Sequence, residues 1–429
     1  MPAYAAMLND LVARGAALVG WEKEPPDFEG QCRALIGGHG EATSVARALA
    51  LLDSYEAFDD EKKRDALLCL SKLLRDAESL ASALRDVDLD DPKSIRRLHF
   101  ASEPPSQQLL RSLNRIPNGT QRLVQMRTDL LQFKKTDPDL RSLDQDFHHL
   151  FSSWFNRGFL QMRRIDWRTP AETLEKIIKY EAVHEIAGWD DLRHRVSSKD
   201  RRLYAFFHPA LADDPLIFVE VALADGLPST ISEIINSGVD TASANKPNTA
   251  VFYSISNCHM GLAGVSFGNL LIKQVVKELS VEVPSIQTFV TLSPVSGLRG
   301  WVVSADSNAK DILSASQFAI TKSLNSDAAT TDADNAAVAG IAAQYLLHAK
   351  KPDGLPIDPV ARFHLGNGAR LERILPRADQ SDRGIGTSWG TMVNYLYELA
   401  DIERNHEAFS VEGKVIATRQ VRALAQKQD

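Results

Sequence analysis

Residues 249–293, TAVFYSISNCHMGLAGVSFGNLLIKQVVKELSVEVPSIQTFVTLS, carry the signals of a strand, a glycine loop, a helix and a second strand in one run. Val251, Phe252, Tyr253 and Ile255 are β-branched or aromatic, the chemistry of an extended segment. Gly261, Gly264 and Gly268 then punctuate a turn. After it Leu271, Val275, Val276 and Leu279 recur at helical spacing, with Lys273, Lys277 and Glu278 between them. Pro284 breaks the helix, and residues 286–292 form a second apolar run that ends at Ser293-Pro294. A unit of this kind presents unpaired backbone N–H groups at the helix start, a natural seat for a phosphate or another anion.

The loop narrows the chemistry by what it lacks. A P-loop needs Lys and a hydroxyl residue after its last glycine, and Asn269-Leu270 stand there. No G-x-G-x-x-G dinucleotide fingerprint occurs. A literal G-x-S-x-G does occur, at Gly264-Val265-Ser266-Phe267-Gly268, which is the nucleophile-elbow pattern of serine hydrolases. In those enzymes the elbow follows its strand directly, whereas residues 257–263 intervene here. Glycines that let a helix pack closely on a sheet explain the same loop without any chemistry.

With 429 residues the chain has material for two or three domains and a substantial core. A net charge of -7 argues against nucleic acid as the main partner and makes any anion site local. Three cysteines, none at CxxC spacing, point to a reducing compartment, read as the cytoplasm. No apolar run is long enough for a membrane span. The first fifteen residues are amphipathic and carry Asp10, unlike a secretory signal, and the C-terminal QKQD is no peroxisomal address.

Up to about residue 160 the apolar stripes are helical: Val45/Leu49/Leu52, Leu67/Leu70/Leu74, Leu109/Leu113/Ile116 and Leu123/Met126/Leu130. Prolines separate them, as between short packed helices, and no catalytic or metal-ligating cluster appears, so this part reads as a packing or assembly module. An aromatic and basic stretch at 149–168 marks the joint. Thr169, Pro170 and Glu172 have the spacing of a helix start, with a helix expected to about Ala187. Strands are expected at 203–208 and 216–223 and a helix at 229–236. Residues 295–350 read as helical, with 328–338 a loose surface segment, and helices at 383–399 and 417–426 close the chain. The expected fold is an all-α domain followed by an α+β domain.

Taken together, FYSISNCHMGLAGVSFGNLLIKQVVKEL, the LSPVSG turn and FHLGNGARLERI resemble the malonyl-CoA decarboxylase family. WFNRGFL, EAVHEI and MVNYLY are similar to the same family, so the likeness covers the C-terminal two-thirds in order. It implies a helical assembly domain over residues 1–165, forming a homo-oligomer, and a catalytic acyl-CoA-binding domain over 166–429 that resembles GNAT-type acetyltransferases. It also implies that Gly261, Leu262, Ala263, Gly264, Val265, Ser266, Phe267, Gly268 and Asn269 hold the coenzyme A phosphates. The acetyltransferase pattern Arg/Gln-x-x-Gly-x-Gly/Ala would fall on 263–268, where Ala263 and Ser266 depart from it, and Ser266 stands where relatives can carry glutamate.

The family's catalytic serine and histidine carry over onto Ser293 and His364, and a pocket tyrosine onto Tyr397. The implied reaction turns malonyl-CoA into acetyl-CoA and CO2. The thioester is itself the electron sink, so no metal and no organic cofactor is expected. Without the resemblance, Ser293 would pass for a turn residue, His364 for a hydrogen-bonded structural histidine, and Tyr397 for core at the end of an amphipathic helix. Two alternatives stand beside the decarboxylase: a serine esterase or thioesterase acting through Ser266, and a non-catalytic acyl-CoA-binding regulator.

Overall fold

The computed structural model describes residues 27–37, 40–73, 77–211, 213–235, 246–265, 267, 270–304, 307–324 and 331–426. The chain divides into two compact units. One comprises residues 1–160 with 208–214 and 259–267; the other comprises 161–207, 215–258 and 268–429.

The first unit is helical, as its stripes predict. Helices Glu41–Glu56, Asp60–Ser71, Pro105–Leu113, Gly119–Phe133 and Arg141–Trp154 bury Leu51, Leu52, Leu67, Leu109, Leu123, Leu130, Phe147 and Phe151. Into this bundle reaches the segment after the Thr249–Asn257 strand. Gly261 lies against helix Gly119–Phe133 so closely that a Cβ would stand 1.9 Å from the Val124 carbonyl oxygen. The buried Arg127 donates to the Gly261 carbonyl at 2.8 Å and to Asp144 Oδ1 at 2.9 Å, so its charge is matched where water cannot reach it.

The second unit is built on one sheet. Among the described residues its strands are β1 Gln161–Ile165, β2 Arg201–Phe207, β3 Pro215–Ala224, β4 Thr249–Asn257, β5 Thr288–Thr291, β6 Ser293–Pro294, β7 Arg370–Leu375 and β8 Met392–Leu396. β1 to β4 are antiparallel, β4 and β5 are parallel across helix Leu270–Glu282, and β8 pairs with β5, β6 and β7. Alternation along β2 gives the sheet two covered faces. Leu203, Ala205 and Phe207 pack with Leu174, Ile177, Leu192 and Val196 of helices Ala171–Tyr180 and Trp189–Ser197. Arg202 and Tyr204 bond to Glu282 at the end of helix Leu270–Glu282. The order all-α, then α+β, is the expected one.

Several local expectations are corrected. The helix opening near Thr169 stops at Tyr180. The Glu181 carboxylate accepts from the Val183 and His184 N–H groups at 2.7 Å each, and these donors are thereby lost to a helical ladder. Residues 332–338 lie in helix Asp332–His348, capped by Thr331, rather than in a loose segment. The expected helix at 383–399 is shorter, Asp382–Ser388: Trp389 and Gly390 take positive φ and turn the chain into β8, where the period-2 reading of MVNYL applies. A strand also follows FHLGNGA, because Gly368, at φ +83, turns helix Pro359–Gly366 into β7.

The 181–188 segment is held by a buried ion pair. Arg195 donates to Glu220 at 3.1 Å and to the His184 and Glu185 carbonyls at 2.8 Å each. Burial pushes the Glu220 carboxyl up to about 7, against the pull of the Arg195 charge. Arg195→Met should therefore cost roughly 3–5 kcal/mol, because it strands a buried carboxylate, and adding Glu220→Leu should recover much of that. Denaturant unfolding of the single and double variants checks this. A single-variant loss within the roughly 0.5 kcal/mol typical of surface changes would show that the pair does not hold the segment.

Candidate active site

The site grows out of a strand that loses one of its two partners. β4 and β5 run in parallel register up to Phe252↔Thr291, and the Leu292 N–H still donates to the Phe252 carbonyl at 2.9 Å. At the next residue the chain leaves β4. Ser293 and Pro294 pair with Val393 and Met392 of β8, while β4 runs on to Asn257 bonded to β3. Among the described strands none pairs with residues 253–257 of β4 on the side β5 has left. Ser293 thus sits where two neighbouring strands part, at the end of the β4–β5 ladder.

His364 reaches the same point from helix Pro359–Gly366. Asp358 caps that helix through the Ala361 N–H at 2.8 Å, and Pro359 fills its first position. Tyr345 OH donates to the same Asp358 at 3.3 Å and lies 2.3 Å from where a Cβ on Gly297 would stand. One hydroxyl therefore holds the turn after Ser293 against the cap of the helix that carries His364. Only glycine leaves it room.

The imidazole lies between two hydroxyls. His364 Nε2 is 3.2 Å from Ser293 Oγ, and Nδ1 is 2.8 Å from Tyr397 OH. Tyr395 stacks on the ring, centroids 4.7 Å apart and planes inclined by 23°. Ser293, His364 and Tyr397 are all buried, and burial lowers the His364 pKa to about 3. The ring is accordingly neutral at neutral pH, one nitrogen a donor and the other an acceptor. The three residues expected from the sequence are thus joined in one hydrogen-bonded chain. Tyr397 does not end a helix; it follows β8 directly and donates its N–H to the Phe289 carbonyl.

The loop residues stand in the other unit. Leu262, Ala263 and Val265 donate their N–H groups to the His259, Met260 and Leu262 carbonyls. Gly264 has φ +81, and its carbonyl lies 3.0 Å from His148 Nε2. Phe267 is buried, while Ser266, Gly268 and Asn269 lie outside the described residues. Sequence reasoning missed Thr291, Tyr395, Asp358 and Tyr345. For the first two a signal existed: Thr291 and Ser293, like Tyr395 and Tyr397, are two residues apart in extended chain and so share a face.

Comparison with known proteins matches two family models in order along the chain. The family model described as Malonyl-CoA decarboxylase C-terminal domain matches residues 158–429, and that described as Malonyl-CoA decarboxylase N-terminal domain matches residues 74–155. The chain is 32% identical to the mitochondrial malonyl-CoA decarboxylase of Rattus norvegicus over 94% of its own length and 87% of the relative's. It is 36% identical to that of Anser anser anser over 76% of its length and 70% of the relative's. Among solved structures, malonyl-CoA decarboxylase from Rhodopseudomonas palustris superposes with a TM-score of 0.85 at 47% identity, covering 92% of this chain and 98% of that one. The enzyme from Agrobacterium vitis gives a TM-score of 0.84 at 48% identity, covering 94% and 100%. With both domain models matched in order and solved relatives superposing over nearly the whole fold, this chain belongs to the malonyl-CoA decarboxylase family.

Proposed function

We propose that Ser293, His364 and Tyr397 are the catalytic core with which this carboxy-lyase converts malonyl-CoA to acetyl-CoA and CO2. The observation that carries the reading is the continuous Ser293–His364–Tyr397 hydrogen-bond chain at the point where β4 and β5 part. Family membership takes away the ground of the esterase and regulator readings, since relatives matching both domains are named decarboxylases.

In the reaction the bond between C2 and the carboxylate breaks. Its electron pair moves into the thioester as an enolate, CO2 departs, and C2 takes up one proton. Two tasks therefore fall to the protein: a donor for the thioester oxygen as it gains charge, and an acid for C2. Donors already aimed at a forming oxyanion each supply roughly 3–4 kcal/mol. In this reading Ser293 bonds the thioester or carboxylate, His364 passes its ring N–H proton to C2, and Tyr397 bonds the far nitrogen of the imidazolate so left, which regains a proton from solvent before the next turnover. The acyl arm lies along the open edge of β4, and the reaction proceeds without a covalent acyl-enzyme. The coenzyme A phosphates belong at residues 261–269 and the start of helix Leu270–Glu282, where the helix end favours an anion. The Leu262, Ala263 and Val265 amides are already committed, so this placement leans on the helix start. The helical region is read as the homo-oligomer contact; Leu89 and Phe100 are large apolar side chains exposed on it. A cytoplasmic setting rests on the cysteine pattern, while the rat and goose relatives are named mitochondrial.

Ser293→Ala and His364→Gln should each lower kcat by roughly 10²-fold or more. Their combination should cost much less than the product, because the two serve one transition state. Ser266→Ala should leave kcat largely intact. Single-turnover kinetics with intact-mass spectrometry decides; wild-type kcat in Ser293→Ala, or an acyl group trapped on Ser266, overturns the assignment.

Activity should also survive exhaustive EDTA treatment, since the thioester accepts the electrons itself. A loss reversed by one divalent ion would sink the metal-free mechanism.

The third expectation concerns pH. The folded protein holds His364 at about 3, and an unfolded histidine titrates near roughly 6.5. Between these values the unfolded chain binds more protons, so stability falls as pH drops from about 6.5 towards 3, and above that window His364 adds no slope. His184, lowered to about 4 by burial, contributes in the same sense. In His364→Gln the dependence of the unfolding free energy on pH should be flatter over this range; an unchanged slope means that His364 is not held neutral.

A further inference from the structure

Accepting the catalytic reading of Ser293 and His364, we propose that Thr291 is a positioning residue that fixes the imidazole tautomer of His364 by taking the Ser293 hydroxyl proton. Ser293 Oγ donates to Thr291 Oγ1 at 2.9 Å. A serine hydroxyl has one proton, and once that proton points at Thr291 only lone pairs remain for His364. The 3.2 Å contact between Ser293 Oγ and His364 Nε2 then has one polarity: Nε2 carries the hydrogen and donates it. A neutral imidazole protonated at Nε2 is bare at Nδ1, so Tyr397 donates to Nδ1 across 2.8 Å. The chain runs in one direction, from Tyr397 through His364 and Ser293 to Thr291.

Thr291 is fitted for this task by what holds it. It is 0% exposed, so no water competes for its oxygen. Its backbone carbonyl accepts from Asn394 Nδ2 at 2.7 Å, and Asn394 is in turn gripped by Arg373 Nε at 2.9 Å. The Tyr395 N–H donates to Thr291 Oγ1 at 3.1 Å, and the ring of the same Tyr395 stacks on His364. The acceptor and the imidazole are therefore registered by one residue of β8. The consequence for catalysis is that the proton stands on Nε2, the nitrogen facing Ser293. When substrate draws the serine hydroxyl away from Thr291, Nε2–H is already in place to donate.

The test uses the full chain labelled with 15N-histidine and free of ligand, the His364 signals being assigned by their loss in His364→Gln. Wild-type protein should show Nε2 protonated and Nδ1 bare at neutral pH. Thr291→Val keeps the shape but cannot accept, so the Ser293 proton should turn to Nε2 and the tautomer should shift to Nδ1–H. kcat should fall by about 10-fold or more with KM little changed. Thr291→Ser, which restores the acceptor, should restore both. A wild-type Nδ1–H tautomer overturns the inference whether or not Thr291→Val folds. So does a Thr291→Val protein that loses kcat while Nε2 stays protonated, since Thr291 is then only structural. Wild-type kcat in Ser293→Ala would instead defeat the catalytic reading and leave the ligand-free tautomer measurement standing.

Discussion

The parting of β4 and β5 after Phe252↔Thr291 is the constraint on which the Ser293–His364–Tyr397 cluster depends. A parallel pair that simply continued would engage the backbone of residues 253–257 in a ladder with the chain after Leu292. The chain instead leaves β4 while keeping β8 in one antiparallel register, from Val290↔Leu396 to Pro294↔Met392, so that β8 is the common partner of β5, β6 and β7. It therefore brings Tyr395 and Tyr397 to the same place. Each of these residues reaches the site through backbone pairing, and the site inherits the rigidity of a sheet.

Such a cluster of hydroxyls and an imidazole is costly to bury unless its members satisfy one another. An unpartnered buried polar group loses roughly 1–3 kcal/mol, about as much as one good contact contributes. Here Tyr397, His364, Ser293 and Thr291 bond in sequence, and the His364 helix begins at a carboxylate that also holds Tyr345. The same burial keeps His364 neutral, with one ring nitrogen a donor and the other an acceptor. The glycine loop is held differently, through Gly261 packed on helix Gly119–Phe133 and through Arg127 and His148 bonded to its carbonyls.

The helical region and the strand–loop–helix–strand unit were legible in the chain, whereas Ser293, His364 and Tyr397 stood out only through the resemblance of their motifs to a family; the structure brings the three together. Apolar periodicity reports which face of an element is buried, and short motifs report residues whose chemistry has few substitutes. The reading failed where a local signal was overridden. Glu181 turned back on the amides that would have extended its helix, and Gly390 and Gly368 turned the chain into strands where helix was expected or no strand was foreseen.

By itself the sequence determined the elements and the chemical groups available, because backbone preference and side-chain period act over a few residues. Only the tertiary structure decided which groups meet. Ser293 and His364 are 71 residues apart in the chain, and their 3.2 Å contact exists because the strand parting from β4 and a capped helix converge on it. The same holds for the proton. Whether a histidine is charged, and which nitrogen carries its hydrogen, depends on burial and on the hydroxyls it faces, and those neighbours come together only when the chain has folded.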